Sequence, residues 1–242
     1  MTRPGDEAAP GSGLDRPRSS GGPGGPSRPS GPGGPGQVRP VKAALRALVV
    51  AARRDLGARE LAADARLTAT VVLDLPEVAA ARCVAAYVSI GAEPGTRHLL
   101  DVLAARGVLV LTPVLLADGD LDWAEYDGPG GLEPAARGLL EPAGPRLGVD
   151  AVRRADVVVV PALAVDRHGN RLGRGGGSYD RALARLAPDA LACALLHEGE
   201  LLPPGAAVPT EPHDRPVHAV ATPSAPHRFP PAPPPPRRGP GA

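Results

Sequence analysis

The run Asp166-Arg167-His168-Gly169-Asn170-Arg171-Leu172-Gly173-Arg174-Gly175-Gly176-Gly177-Ser178-Tyr179-Asp180-Arg181 gathers groups that together suit phosphate chemistry. Four of the five residues from Gly173 to Gly177 are glycine, which admits positive φ and lets a ligand approach the main chain. Exposed N–H groups in such a stretch, with a helix start behind them, attract anions. Arg171 and Arg174 add planar guanidinium groups matched to phosphate. Asp180 offers a hard oxygen to a magnesium ion bridging phosphates. The plainer reading is a surface loop in which Asp180 only favours a helix N-terminus. The pattern is neither GxxxxGK[ST] nor a dinucleotide fingerprint.

A second group of cations lies near the start of the chain. At 100° per residue, Lys42, Arg46 and Arg53 fall within about 40° of one another on a helix. Their stripe borders an apolar one (Leu45, Leu48, Val49, Ala52, Leu56), so they stand at the edge of a core. A solvated helix face explains such a stripe on its own. Beside the glycine-rich loop, it becomes the opposite wall of a polyphosphate site.

The intervening elements must bring these two groups together. VKAALRALVVAARRDLG (41–57) reads as an amphipathic helix, and a second helix covers part of 60–74 before Pro76. CVAAYVSI (83–90) and VLVLTPV (108–114) read as strands around a helix over 96–107 that Thr96 is placed to cap. LDWAEY (121–126) alternates as a strand does, and 127–150 is a long Gly/Pro-rich connection. ADVVVVPALAV (155–165) is a β-branched run suited to a strand buried on both faces. The glycine-rich loop, a helix (YDRALARL), and strands at LACALL and VHAVAT follow. This alternation predicts an α/β fold: one three-layer domain with a largely parallel sheet flanked by helices, and ligands beyond the carboxyl ends of its strands. Residues 41–223 make up that domain. Residues 1–40 and 224–242, dominated by Gly, Pro, Ser and Arg, read as disordered tails.

NRLGRGGGSYDR resembles the signature of the 5-formyltetrahydrofolate cyclo-ligases (methenyltetrahydrofolate synthetases), and the similarity extends over about 41–223. A Lys-x3-Arg helix is matched by Lys42 and Arg46. A strand ending in a Ser-containing turn is matched by Tyr87-Val88-Ser89-Ile90, with Glu93 shortly after. Pro113, Leu140-Glu141-Pro142 and His213-Asp214 match further elements. Ser178 stands where the family usually has a second aromatic, and Leu140 where it has a proline. The resemblance implies ATP binding by Lys42, Ala43, Ala44, Leu45 and Arg46 and by Arg171, Leu172, Gly173, Arg174, Gly175, Gly176, Gly177, Ser178 and Tyr179. It implies magnesium at Asp180 and Asp214, and folate contacts from Val88, Glu93 and residues 174–178. Arg174 and Asp180 would serve the chemistry directly. In that chemistry the formyl oxygen on N5 of 5-formyltetrahydrofolate is phosphorylated by ATP, N10 attacks, and 5,10-methenyltetrahydrofolate, ADP and phosphate result.

Composition narrows the alternatives. The net charge is +1, with five Arg against three acids in 1–40 and three Arg without an acid in 224–242, so the core carries about −4. No nucleic-acid surface is expected, and no run of 18 apolar residues suggests a membrane span. Cys83 and Cys193 sit in apolar runs and read as core. No HxxxH or CxxC spacing suggests zinc. His98 and His197 read as structural, and Trp123 either fills the core or stacks on a pterin. A cytoplasmic monomer or weak homo-oligomer is the default. Two rival functions remain: a sugar-phosphate isomerase or CoA-transferase-like enzyme, and a non-catalytic folate- or nucleotide-binding module.

Overall fold

The computed structural model describes residues 35–230. The expectations for 1–34 and 231–242 lie outside the described residues. Helices α1 (Pro35–Arg54), α2 (Ala58–Leu73) and α3 (Pro76–Ala80) lead into β1 (Cys83–Ala86). Helix α4 (Arg97–Ala105), β2 (Leu109–Leu115), β3 (Leu121–Glu125), and the pair β4 (Leu132–Pro134) and β5 (Leu140–Pro142) follow. Then come β6 (Val157–Pro161), β7 (Ala164–Val165), β8 (Arg171–Leu172), α5 (Ser178–Leu183), β9 (Leu191–Leu195), β10 (Ala219–Ala221) and β11 (Pro226–Arg228).

Seven strands form the main sheet in the order β11-β10-β9-β6-β1-β2-β3. The five central strands are mutually parallel, and both edges, β3 and β11, run antiparallel. The period of two sends alternate residues to opposite faces. Val84, Ala86, Val157 and Val159 pack with Leu99, Leu100 and Leu103 of α4 and Ala69 and Val72 of α2. Cys83, Ala85, Val158 and Val160 pack on the other face with Trp123, Val152, Ala182 and Leu183. The expected α/β architecture with a largely parallel, twice-covered sheet is therefore the one observed. Burial of both thiols fits their place in the core, and desolvation pushes the Cys83 pKa up to about 11 and that of Cys193 to about 12.

The domain is longer at both ends than the sequence implies. Composition sets residues 1–40 apart as a tail, yet α1 begins at Pro35 and carries through Pro40, although a proline inside a helix forfeits a backbone bond. At the other end, β11 pairs with β10 and Phe229 is buried. Edge strands tolerate proline, and the chain's one phenylalanine supplies apolar area that the rest of 224–242 lacks.

Three further departures shape the site. The run 83–90 is sheet only through Ala86, so Tyr87–Ile90 project past the strand end. The run 155–165 breaks at Pro161, and β7 leaves the main sheet to pair with β8. The long connection 127–150 holds the hairpin β4–β5, which Glu141 ties to the main sheet by accepting Leu115 N–H at 2.9 Å.

Candidate active site

Past the carboxyl ends of β1, β2 and β6, where ligands bind in parallel α/β sheets, lies a cavity of about 800 Å³. One wall is cationic. Lys42 and Arg46 reach it from α1, and the loop Gly173–Gly177 faces them. Arg46 Nε donates to Gly173 O at 2.8 Å, joining the two groups directly. Two glycines have evident reasons. A Cβ on Gly173 would stand 2.7 Å from Arg171 Nη1, and Gly177 turns into α5 through φ 71°. Ala43 and Ala44 are exposed and line no part of the cavity. Leu45 packs with Leu163, Ala164, Leu172 and Val208 beneath it. Of the 42–46 span, only its two cations face the cleft.

Arg53 belongs to the same stripe but has a different task. Its guanidinium is buried, donates to both carboxylate oxygens of Glu200 at 2.7 and 2.8 Å, and reaches Ala162 O at 2.6 Å. It borders the cavity too, but its charge is engaged in clasping α1 to the segments after β6 and β9.

Two carboxylates border the cationic wall. Asp180 Oδ1 accepts from Arg171 Nη2 at 2.9 Å and from Arg215 N at 3.2 Å. Asp214 Oδ2 accepts from Lys42 Nζ at 2.6 Å and Glu211 N at 2.7 Å. Burial pushes the Asp214 carboxyl upward, but the Lys42 and Glu211 hydrogen bonds outweigh it and leave its pKa below the ordinary value. Each aspartate thus has its hydrogen bonds on one oxygen, leaving the other for a cation. Glu211, His213 and Asp214 also present ligand atoms within 4.8 Å of one another. Asp180 is not part of that group, but its carboxylate and that of Asp214 both line the cavity, and magnesium takes one or two carboxylates and completes its shell with water and phosphate.

The other wall is mostly apolar: Tyr87, Val88, Ile90, Pro113, Leu115, Leu121, Leu139 and Leu140. Its segment 87–96 is held by its own hydrogen bonds. Tyr87 Oη donates to Pro94 O, Thr96 Oγ1 donates to Tyr87 O, and Ser89 and Thr96 exchange bonds through their hydroxyls. Thr96, expected to cap α4 with its side chain, spends its hydroxyl here instead. Glu93 enters the cavity with Oε2 fixed by Ile90 N–H at 3.0 Å, while Oε1 lies 3.1 Å from Arg174 Nε. Tyr179 is partly buried against both faces of the core. Desolvation, then the charge of Glu93, pushes its pKa well up and keeps it a neutral phenol. Ser178 lies beside it on the cavity wall.

The structure brings Lys42, Arg46, Val88, Glu93, Arg171–Tyr179, Asp180 and Asp214 to one cavity. Trp123 is fully buried in the core and does not line it. His98 is exposed on α4, while His197 is buried, with Nε2 3.2 Å from Ala92 O. Glu211, Arg215 and Arg137 were missed. Glu211 had a weak sequence signal, an acid two residues before the His-Asp pair. Arg137 sits at the tip of β4–β5 with φ 60°, a conformation costing a non-glycine residue about 1 kcal/mol.

Among the described residues, no helix is long and apolar enough to cross a membrane. The chain is 46% identical over 147 residues to a 5-formyltetrahydrofolate cyclo-ligase of Mycolicibacterium smegmatis, covering 59% of this chain and 74% of that one. It is 33% identical over 163 residues to the Escherichia coli enzyme of the same name, covering 64% and 86%. The NMR structure of Aquifex aeolicus 5,10-methenyltetrahydrofolate synthetase superposes with a TM-score of 0.64 at 26% identity, over 78% of this chain and 93% of that one. A family-wide comparison matches residues 38–223, a span that includes every wall of the cavity from Lys42 to Asp214, and the chain belongs to the 5-formyltetrahydrofolate cyclo-ligase family.

Proposed function

We propose that the protein converts 5-formyltetrahydrofolate and ATP to 5,10-methenyltetrahydrofolate, ADP and phosphate. The observation that carries this is the two-sided cavity. A cationic wall with a glycine-rich loop stands next to a mostly apolar wall from which Glu93 enters the cavity; Glu141, also on that side, is engaged with Leu115 N–H.

A formamide oxygen is a poor leaving group, and phosphorylation makes it a good one. The formyl oxygen takes the γ-phosphoryl group, N10 attacks the activated formyl carbon, and the C–O bond breaks as phosphate departs with that oxygen. The protein's task is mainly to position the reactants and stabilise charge. Lys42, Arg46, Arg174 and the amides of 173–177 hold the phosphates. Leu45 supports the helix beneath, and Ala43 and Ala44 only space its two cations. Val88 and Ile90 flank the pterin, and Glu93 accepts hydrogen bonds from its adjacent N–H groups. Asp180 and Asp214 would hold magnesium, which neutralises charge on the phosphate oxygens. The low-dielectric wall formed by Leu115, Leu121 and Leu140 excludes water that would hydrolyse the phosphorylated intermediate.

A cytoplasmic monomer or weak homo-oligomer is the working form under this reading. The deciding experiment follows 5,10-methenyltetrahydrofolate formation spectroscopically with and without Mg-ATP. Nucleotide-dependent product formation is expected. An ATP-independent reaction would favour an isomerase- or transferase-like enzyme, and binding of both ligands without turnover a non-catalytic module.

A further inference from the structure

The hairpin β4–β5 turns through Arg137 and Gly138, at φ 60° and 72°, and Leu139 N–H closes it onto Ala136 O at 3.2 Å. Two consecutive residues at positive φ are the mark of a hairpin loop that prefers Asn-Gly. Arg137 is the one non-glycine residue at positive φ among those described. The turn would close more easily with Asn at this position, so the arginine is retained against local preference, and such outliers point to function.

Its surroundings indicate which function. Arg137 is exposed and lines the cavity on the apolar side, next to Leu139 and Leu140. It forms no ion pair with a carboxylate among the described residues. The cations opposite are engaged: Lys42 with Asp214, Arg46 with Gly173 O, Arg171 with Asp180. Glu141 pins the hairpin to β2, so the tip is carried on a fixed base.

We propose that Arg137 binds the carboxylates of the folate's glutamate tail and makes the enzyme selective for glutamylated substrate. The proposal rests on the folate reading of the cavity. The pterin and benzoyl rings carry no net charge, and the anionic part of that substrate is its amino-acid end. A guanidinium receives a carboxylate through two parallel hydrogen bonds. An exposed tip at the rim suits the part of the substrate that projects into water.

Calorimetric titration of the full chain with 5-formyltetrahydrofolate, its triglutamate form, a 5-formyltetrahydropteroate amidated at its benzoyl end so that it carries no carboxylate, and ATP tests this, in wild type and Arg137→Asn. The wild type should bind the glutamylated forms about tenfold or more tighter than the pteroate. Arg137→Asn should bring that ratio close to one, with a melting temperature equal to or above wild type because Asn suits the turn. A ratio preserved in the variant overturns the proposal. So does a loss confined to ATP affinity, which would make Arg137 a phosphate ligand. If the wild type binds no folate form, the folate reading of the cavity fails, and the tail assignment with it. Binding without discrimination by Arg137 overturns the tail assignment alone.

Discussion

Lys42 Nζ lies 2.6 Å from Asp214 Oδ2 and 3.2 Å from Glu211 Oε2, so the helix lysine facing the phosphate loop is held by two acids bordering the same wall of the cleft. A polyphosphate entering this cleft competes for that ammonium, and a metal competes for that carboxylate. The two exchanges compensate each other when metal and nucleotide arrive together.

Lys42→Ala and Arg46→Ala should each raise KM for ATP by about tenfold or more, the scale of one charge-assisted hydrogen bond. KM for the folate should change much less. Steady-state kinetics with each substrate varied separately decides it. A change confined to the folate would place α1 on the wrong ligand.

Asp180 calls for two substitutions. Arg171 is almost fully buried and pairs with it, so Asp180→Ala strands a buried cation, at a cost of about 3 kcal/mol. Asp180→Asn keeps an acceptor for Arg171 and Arg215 N–H but loses the charge a metal needs. The asparagine variant should melt close to wild type, lose nearly all turnover, and lose the extra stabilisation that Mg-ATP gives over ATP. Near-normal turnover in Asp180→Asn would overturn the metal assignment.

Glu93→Gln keeps the shape of the side chain and removes its charge. Folate affinity should fall by about tenfold, since two charged acceptor contacts become weaker ones. ATP affinity should stay within about threefold, because the Arg174 partner is mostly exposed and such pairs contribute little. Titration of both ligands checks both halves.

Asp120 offers a pH test away from the chemistry. It receives Arg185 Nη1 at 3.0 Å and Nη2 at 2.5 Å, tying the β2–β3 turn to the segment after α5. The Arg185 hydrogen bonds, against a smaller effect of burial, hold its carboxyl below the usual 3.8. A depressed folded pKa stabilises fully above the unfolded value and is lost as pH falls through the folded one. Asp120→Asn should therefore lower stability by about 2 kcal/mol at neutral pH. Its deficit should shrink as melts are repeated down through the carboxylate range. A deficit that stays constant with pH would remove the charge from the account.

The sheet was legible because its central strands are continuous apolar runs of Val, Ala and Leu, the pattern of strands buried on both faces. The glycine-rich loop was legible because four glycines beside arginines are hard to explain as packing. Several features were hidden for physical reasons. Lys42, Arg46 and Arg53 share a helical stripe, yet only their distant partners separate ligand-facing cations from a clasp: Asp214, Gly173 O and Glu200. Thr96 precedes a helix as caps do, and its hydroxyl went to a loop seven residues back. Arg137 looked like any loop arginine, because its positive φ is set by strand pairing across the hairpin.

The clasp formed by Arg53, Glu200 and Ala162 O has a consequence for how the first helix leaves the domain. Helix α1 meets the rest of the protein through a small apolar patch, Leu45, Val49 and Val50, and three cations at successive points along its length. The sheet beneath is joined by close-packed hydrocarbon, which salt does not weaken. Lys42 and Arg53 are equally buried, but the acids that hold Lys42, Glu211 and Asp214, are more exposed than Glu200, so added salt screens the attachment at Lys42 more than the clasp at Arg53. Raising ionic strength should loosen the helix from its N-terminal end, with amide exchange quickening around Lys42 before Arg53, while β1 and β6 stay protected. The cleft would then lose the helix part of its cationic wall without the domain unfolding.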